Sequence, residues 1–352
     1  MKQFFGMSTS GNLSEAVKGL SNPKGLILFS SEANFERHVR ELESMFPRVP
    51  SIGCIAMSYS TELCESGVSV TAFTEGVDIA ANVIENVSTK PAAQIKKLDE
   101  DIRKVRPGRE NTVVIDFCSG NDAAVLTTLE GALRKNGVSL MGGTGSPGKL
   151  SANGVCYEDS VVYMVIKNQN GRAKVYKENI YKPMGDIRFV ASGTDRSRYY
   201  MGELDGKPAK TVYMNALNIK ESDITTQTFK NPFGKIVGDD IRIISIKEVS
   251  GNGLCCFRQV NDSDVLTLLE LKDYNRVARE TINNIQADFS RISAMFSVNC
   301  LFRYILFTDN GIWNDYHKTM AQLGGSYCGF VGYGEHYNNQ FVNQSMTCVV
   351  FE

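Results

Sequence analysis

Three short stretches near the C-terminal end carry side chains suited to hold a small polar molecule: Cys300 and Arg303, Tyr333-Gly334-Glu335, and Asn343-Gln344. Arg303 offers a planar fork that binds a carboxylate in two places. The same fork serves equally in a structural ion pair, with Glu335 as a partner. The Tyr333 ring can cover an apolar side chain while Glu335 takes an amino group; the bland alternative is a loop-bracing carboxylate. Asn343 and Gln344 would complete a polar wall. Cys300 is either a polarisable wall, reactive where a cation lowers its pKa, or a buried packing residue.

Further upstream, Gly142 and Gly143 end an apolar run, where bare backbone lets a loop or ligand come close or simply makes a tight turn. Gly143 also opens Gly143-Thr144-Gly145-Ser146-Pro147-Gly148-Lys149, which matches the G-x-x-x-x-G-K spacing of a phosphate loop. Three things argue against nucleotide binding there. Leu150 stands where Ser or Thr belongs, Pro147 removes an amide donor, and Ser151-Ala152-Asn153-Gly154 is a poor helix start. His38, His317 and His336 are the only histidines, few for metal or catalytic work. Cys300, His317 and Asp309 form the one set of nucleophile, base and orienter by residue type, and no spacing brings them together. The expectation is a binding protein and not an enzyme, with no metal and no cofactor; a haem would need one of those histidines.

The bulk numbers fit a globular chain of 352 residues with 42% apolar and 22% charged residues, long enough for two domains. With 38 basic and 39 acidic residues and no basic stripe, nucleic-acid binding is disfavoured. No signal-peptide core and no apolar run of membrane-spanning length is visible. Nine scattered cysteines without a Cys-x-x-Cys pair fit a reducing, cytoplasmic compartment.

Three copies of one pattern organise the chain. The first runs from the strand Leu26 to Phe29, through a helix with Phe35, Val39, Leu42 and Phe46 on one face, to Ile52-Gly53-Cys54 and a strand from Gly67 to Thr74. The second begins with Val113 to Phe117. Its helix is capped by Ser119 or Asn121 and stopped by Lys135-Asn136-Gly137, and the strand Val138 to Met141 then enters Gly142-Gly143. A later strand spans Tyr157 to Lys167. The third is read as a strand Tyr304 to Phe307, a helix face of Trp313, Tyr316, Met320 and Leu323, a strand through Cys328-Gly329-Phe330, and a final strand Phe341 to Phe351.

Between the second and third copies, Ile187 to Ala191 and Val212 to Ile219 read as short or irregular. Asp240 to Val249 and Leu254 to Val260 flank a hairpin signal at Ser250-Gly251-Asn252-Gly253; Val265 to Leu271 follows as a strand, and a long helix runs from Asp273. The fold class expected is α/β or α+β: two domains, 1–191 and 192–352, of mixed β-sheets with packed helices, built from repeated strand–helix–strand units.

With these elements placed, the sequence resembles the FIST family over almost its whole length. The carriers are Ser51-Ile52-Gly53-Cys54, Met141-Gly142-Gly143, Leu204-Asp205-Gly206-Lys207-Pro208-Ala209, the Cys300-x-x-Arg303 stretch, Gly329-Phe330-Val331-Gly332-Tyr333-Gly334-Glu335 and Asn343-Gln344-Ser345-Met346-Thr347. Gly143-Thr144-Gly145 departs from the alanine many members carry after the glycine pair, and Ser345 replaces a threonine. The resemblance implies a bacterial, cytoplasmic sensory module with FIST N- and C-terminal domains that binds a small ligand such as an amino acid. Some members bind haem. The partners implied are a histidine kinase, a chemoreceptor or a cyclic-dinucleotide enzyme, on a separate chain because no output domain is visible here. A protein-interaction adaptor without a metabolite is the alternative.

Overall fold

The repeated pattern becomes three parallel strand pairs in the computed structural model, which describes residues 1–352. Gly25–Ser30 pairs with Ser51–Ile55, Thr112–Cys118 with Ser139–Thr144, and Ala294–Cys300 with Ser326–Gly332, through one intervening α-helix in the first two and two in the third. A later strand then lies antiparallel to the first of each pair: Val68–Glu75, Ser160–Asn168 and Met346–Phe351. All of these belong to one compact unit, comprising Met1–Glu178, Ala278–Phe341 and Ser345–Glu352.

The inner faces of the three sheets share a single core. Phe29, Phe117, Phe296 and Phe330, drawn from all three, meet with ring centroids 4.9–6.5 Å apart. Helices cover the outer faces. Phe35, Val39 and Leu42 seat the Phe35–Met45 helix on Leu26 and Leu28, and Val125, Leu129 and Leu133 seat Asp122–Asn136 on its own sheet. The second helix stops where expected, at Gly137 with φ 63°, a left-handed cap that glycine adopts without penalty.

The copies are also tied in a ring. After its parallel pair, each copy sends a short antiparallel strand to the free edge of another. Ser58–Tyr59 of the first joins Ser326–Gly332 of the third, Gly334–Tyr337 of the third joins Ser139–Thr144 of the second, and Leu150–Ala152 of the second joins Ser51–Ile55 of the first.

The third copy corrects the sequence reading. Its first strand is Ala294–Cys300, and Tyr304 to Phe307 lies in a helix, Leu301–Asp309. A continuous apolar run does not distinguish strand from helix by period, but Arg303, Leu306 and Phe307 recur at three and four, and they form the buried face. The expected final strand is two strands, Gln340–Val342 and Met346–Phe351. Trp313–Ala321 is helical as expected.

The other compact unit comprises Asn179–Val277 and Val342–Gln344. Its strands form one nine-stranded sheet, in which Ile246–Ser250 and Gly253–Cys256 make the expected hairpin around Gly251 (φ 59°). The two segments read as short or irregular are short regular elements: Phe189–Asp195 is a strand and Ala209–Leu217 a helix, anchored by buried Ala209 and Tyr213 one turn apart. The compact units are discontinuous in sequence, whereas a division at 191/192 is linear; the two partition the chain on different grounds.

Candidate functional site

Aligning the strand pairings puts a glycine at the same place in every copy. Gly53 lies opposite Leu28, Gly142 opposite Asp116, and Gly329 opposite Ser297. On its other side each glycine faces the strand received from another copy, through Ser151, His336 and Tyr59 respectively. A Cβ at Gly329 would stand 2.7 Å from both Tyr59 Oη and Ser297 Oγ, and one at Gly142 would collide with the backbone and carboxylate of Asp116. The bare glycine therefore lets a side chain of one copy cross to the central strand of another.

In the third copy this crossing opens a buried polar layer between sheet and helices. Tyr59 Oη lies 3.0 Å from Ser297 Oγ and accepts from Asn299 Nδ2 at 2.7 Å. The Tyr59 ring packs on His317 (4.3 Å) and against the edge of Trp313 (5.4 Å). His317 Nδ1 meets Tyr327 Oη at 2.6 Å; burial first, and then Arg303, holds the imidazole well below its usual pKa, so it is neutral. Arg303 sits between the rings of Phe307 and Tyr316 and forms an ion pair with Glu178, whose Oε1 also accepts from Tyr316 Oη at 2.9 Å. Three buried polar atoms of this layer lack a hydrogen-bond partner: Glu178 Oε2, Asn299 Oδ1 and His317 Nε2.

On the outer side of the same helices lies a cleft of about 550 Å³. Trp313 and Tyr304, 4.9 Å apart and edge-on, give it an aromatic wall; Glu62 and Glu65 from the first copy's loop and Lys318 from the helix give it charge of both signs, and Asn314 adds an amide. The volume is in the range of small-molecule sites. Trp313 thus faces the cleft and also touches Tyr59 and His317 of the polar layer.

The second copy's layer is charged instead. His336 donates from Nδ1 to Asp116 Oδ2 at 2.7 Å and from Nε2 to Asp122 Oδ1 at 3.0 Å. Burial alone would depress its pKa, but the two carboxylates outweigh it and raise it well above the usual value. The first copy has Leu28 and Ser151 at the matching places, and its helix histidine, His38, is tied to Ser30 Oγ (2.7 Å) and the Gly11 carbonyl (2.9 Å).

The FIST N domain matches residues 25–207, and the FIST C domain matches residues 209–338. The chain belongs to the FIST family. FIST domains are sensor domains of signal transduction. Among curated proteins none matches the chain. Among solved structures, a chorismatase aligns over 99% of this chain and 98% of its own, with 7% identity and a TM-score of 0.41.

The FIST motifs now have physical roles. Gly53, Gly142 and Gly329 are the crossing glycines, while a Cβ at Gly143 would collide with the Gly334 carbonyl. The residues singled out in the sequence do not converge on one pocket. Arg303 lies on a helix, not beside Cys300 on a strand, and its carboxylate partner is Glu178 and not Glu335. Glu335 is buried; its Oε2 accepts from Ser345 N (3.2 Å) and Oγ (2.9 Å), the Cys300 thiol lies against it, and burial pushes its pKa up to about 8. A neutral acid of this kind is a poor holder for an amino group. Tyr333, two residues away, is 47% exposed. Asn343 and Gln344 belong to the other compact unit, where Gln344 Nε2 donates to the Thr228 carbonyl at 3.1 Å. At the phosphate-loop lookalike, Leu150–Ala152 follows as a strand and Lys149 pairs with Glu36 and Glu158, so no helix N-terminus faces the loop. Asp309 is exposed while His317 is bound to Tyr327, so Cys300, His317 and Asp309 form no relay. The sequence reading missed Glu62, Glu65, Tyr304 and Lys318 as a set. Trp313, read there as a core position, was the available signal.

Proposed function

We propose that this FIST protein is a sensory module that binds a small amphoteric ligand, an amino acid or close relative, in the cleft over Trp313. The observation that carries the reading is the cleft itself: an aromatic wall, with carboxylates from the 61–65 segment and an ammonium from the helix, set on a helix whose inner face reaches a buried polar layer. Lys318 would take the ligand carboxylate, Glu62 or Glu65 its ammonium, and Trp313 and Tyr304 its apolar part. Because the Trp313–Ala321 helix also packs Tyr316 and His317 inward, a ligand favouring one helix position would shift that packing and, through it, the contact with a signalling partner. A histidine kinase, chemoreceptor or cyclic-dinucleotide enzyme on a separate chain fits that role. A cytoplasmic setting fits the nine free cysteines. None of the three histidines lines the cleft, so a haem reading draws nothing from it.

Trp313 is the only tryptophan, so intrinsic fluorescence reports on the site directly. Titration with the amino acids should change its emission saturably, and a hundredfold excess over the dissociation constant should stabilise the protein by about 2.7 kcal/mol. Both effects should vanish in Lys318→Ala and in Glu62→Gln/Glu65→Gln. Absence of any emission change and any shift in melting across the set would discard the cleft as the sensing site.

A second reading, an interaction adaptor, draws on the other compact unit. Val190, Tyr199, Ile236, Val237, Phe257 and Val265 are six of the nine exposed large hydrophobic side chains, and Val190 and Val265 pair directly. Such a surface suits a protein partner.

A further inference from the structure

The charged layer of the second copy has a part that neither the cleft nor the hydrogen-bond ring requires: a thiol. Cys118 ends its strand fully buried, with Sγ 3.7 Å from Asp122 Oδ1 and 3.5 Å from Thr144 Oγ1. His336 Nε2 is 3.0 Å from the same Asp122 oxygen. The three donor atoms of Cys118, Asp122 and His336 all lie within 4.8 Å of one another. Thr144 Oγ1 is also bonded to Asp122 Oδ1. Four side chains from four different stretches thus point at one small volume.

We propose that Cys118, Asp122 and His336 bind a divalent transition-metal ion of the zinc type. Ligand atoms about 2.0–2.3 Å from a tetrahedral centre stand about 3.3–3.8 Å apart, so the donors need move by only a few tenths of an ångström to about an ångström. The donor set of thiolate, imidazole and carboxylate suits zinc, cobalt or iron and not magnesium or calcium. Asp116 supplies the outer shell. Its carboxylate holds His336 Nδ1 at 2.7 Å, fixing the proton there and directing Nε2 to the ion, as carboxylates do behind ligating histidines. Asp116 itself is fully buried and its Oδ1 has no partner, which fits a residue placed to orient the histidine. The fourth position is left to water or a ligand. Access is by way of Asp122, whose side chain is 18% exposed at the start of its helix.

Binding exchanges the Cys118 S–H bond for a bond to the ion and releases that proton to solvent, and it leaves the His336 Nε2 lone pair on the ion while Nδ1 keeps its proton toward Asp116. The Thr144 hydroxyl then donates to the free oxygen or sulfur of a ligand.

Cobalt(II) added to the chelator-treated full chain is the test, because a tetrahedral cobalt–thiolate centre shows both visible bands and a near-ultraviolet charge-transfer band. One equivalent should produce both, and one equivalent of zinc should remove them. Cys118→Ser should abolish the charge-transfer band, and His336→Gln and Asp122→Asn should each weaken cobalt binding tenfold or more. Cys156→Ser, at the one half-buried cysteine, should leave the spectrum intact. If a variant fails to fold, proton release settles the matter on the unaltered protein: at least the Cys118 thiol proton per zinc in weakly buffered solution. No charge-transfer band, a band that survives Cys118→Ser, or no proton release on adding zinc would each overturn the proposal.

Discussion

The second and third copies place a histidine and a carboxylate in matching layers and treat them oppositely. In the third, the charge is carried by the Arg303–Glu178 pair, and His317 stays neutral under Tyr59 and Trp313. In the second, the imidazole is itself the cation, clasped by Asp116 and Asp122. The backbone is the same: a parallel pair, a bare glycine, and a side chain arriving from another copy. What differs is whether a guanidinium lies close enough to satisfy the carboxylate. The contrast shows that this repeat provides a protected layer whose chemistry is set by two or three side chains, so one copy can hold a structural ion pair while another offers ligand atoms.

The largest effect should come from breaking the third copy's pair. Glu178→Gln removes the carboxylate facing a buried guanidinium and should cost about 3–5 kcal/mol in denaturant unfolding; a loss under about 1 kcal/mol would mean that the charge there is not structural. Next comes the glycine shared by all copies. Gly142→Ala drives a methyl into the Asp116 carbonyl, whereas at Gly53 the Cβ would stand 2.8 Å from the Leu28 carbonyl and from Ser151 Oγ. The former should lose about 2–4 kcal/mol and the latter clearly less. Equal losses would show that the crossing geometry, and not the charged layer, sets the tolerance. The smallest effect is in pH. His317 faces Tyr59, Tyr316, Tyr327 and Arg303 and resists protonation in the fold. Below about pH 6.5 the unfolded chain takes up a proton that the folded chain refuses, so stability falls with falling pH by up to about 1.4 kcal/mol per unit. His317→Gln should flatten the decline in unfolding midpoint between pH 6.5 and 5.5, and an unchanged slope would assign the neutral histidine no part in it.

Much of this fold was legible in the sequence because the repeat carries its own punctuation. Gly137 ends its helix as expected, whereas Gly53, Gly142, Gly143 and Gly329, read as strand ends, lie inside the strands Ser51–Ile55, Ser139–Thr144 and Ser326–Gly332, where the bare backbone admits the crossing side chains. Leu301–Asp309 was misread because Leu301, Phe302, Ile305 and Leu306 surround Arg303 with apolar residues on every side, which hides the helical period. Lys2–Ser8 and Val77–Glu85 escaped notice for the opposite reason: they carry polar or half-exposed residues along most of their length and owe their strand form to the partners beside them. The site was least legible. Trp313 and Glu65 are far apart in sequence and meet only because a loop of the first copy reaches the third, and Cys118 and His336 are joined by the same kind of crossing. Family motifs located the glycines that permit these meetings but not the side chains that meet.

The ring of exchanged strands also sets a schedule. As the chain leaves the ribosome, the Ser58–Tyr59 strand has its edge exposed until Ser326–Gly332 has been made, near the far end of the protein. An unpaired strand edge is a template for pairing with another chain. For most of synthesis the first copy is therefore an open offer, and its neighbours on a polysome are the first strands able to accept it.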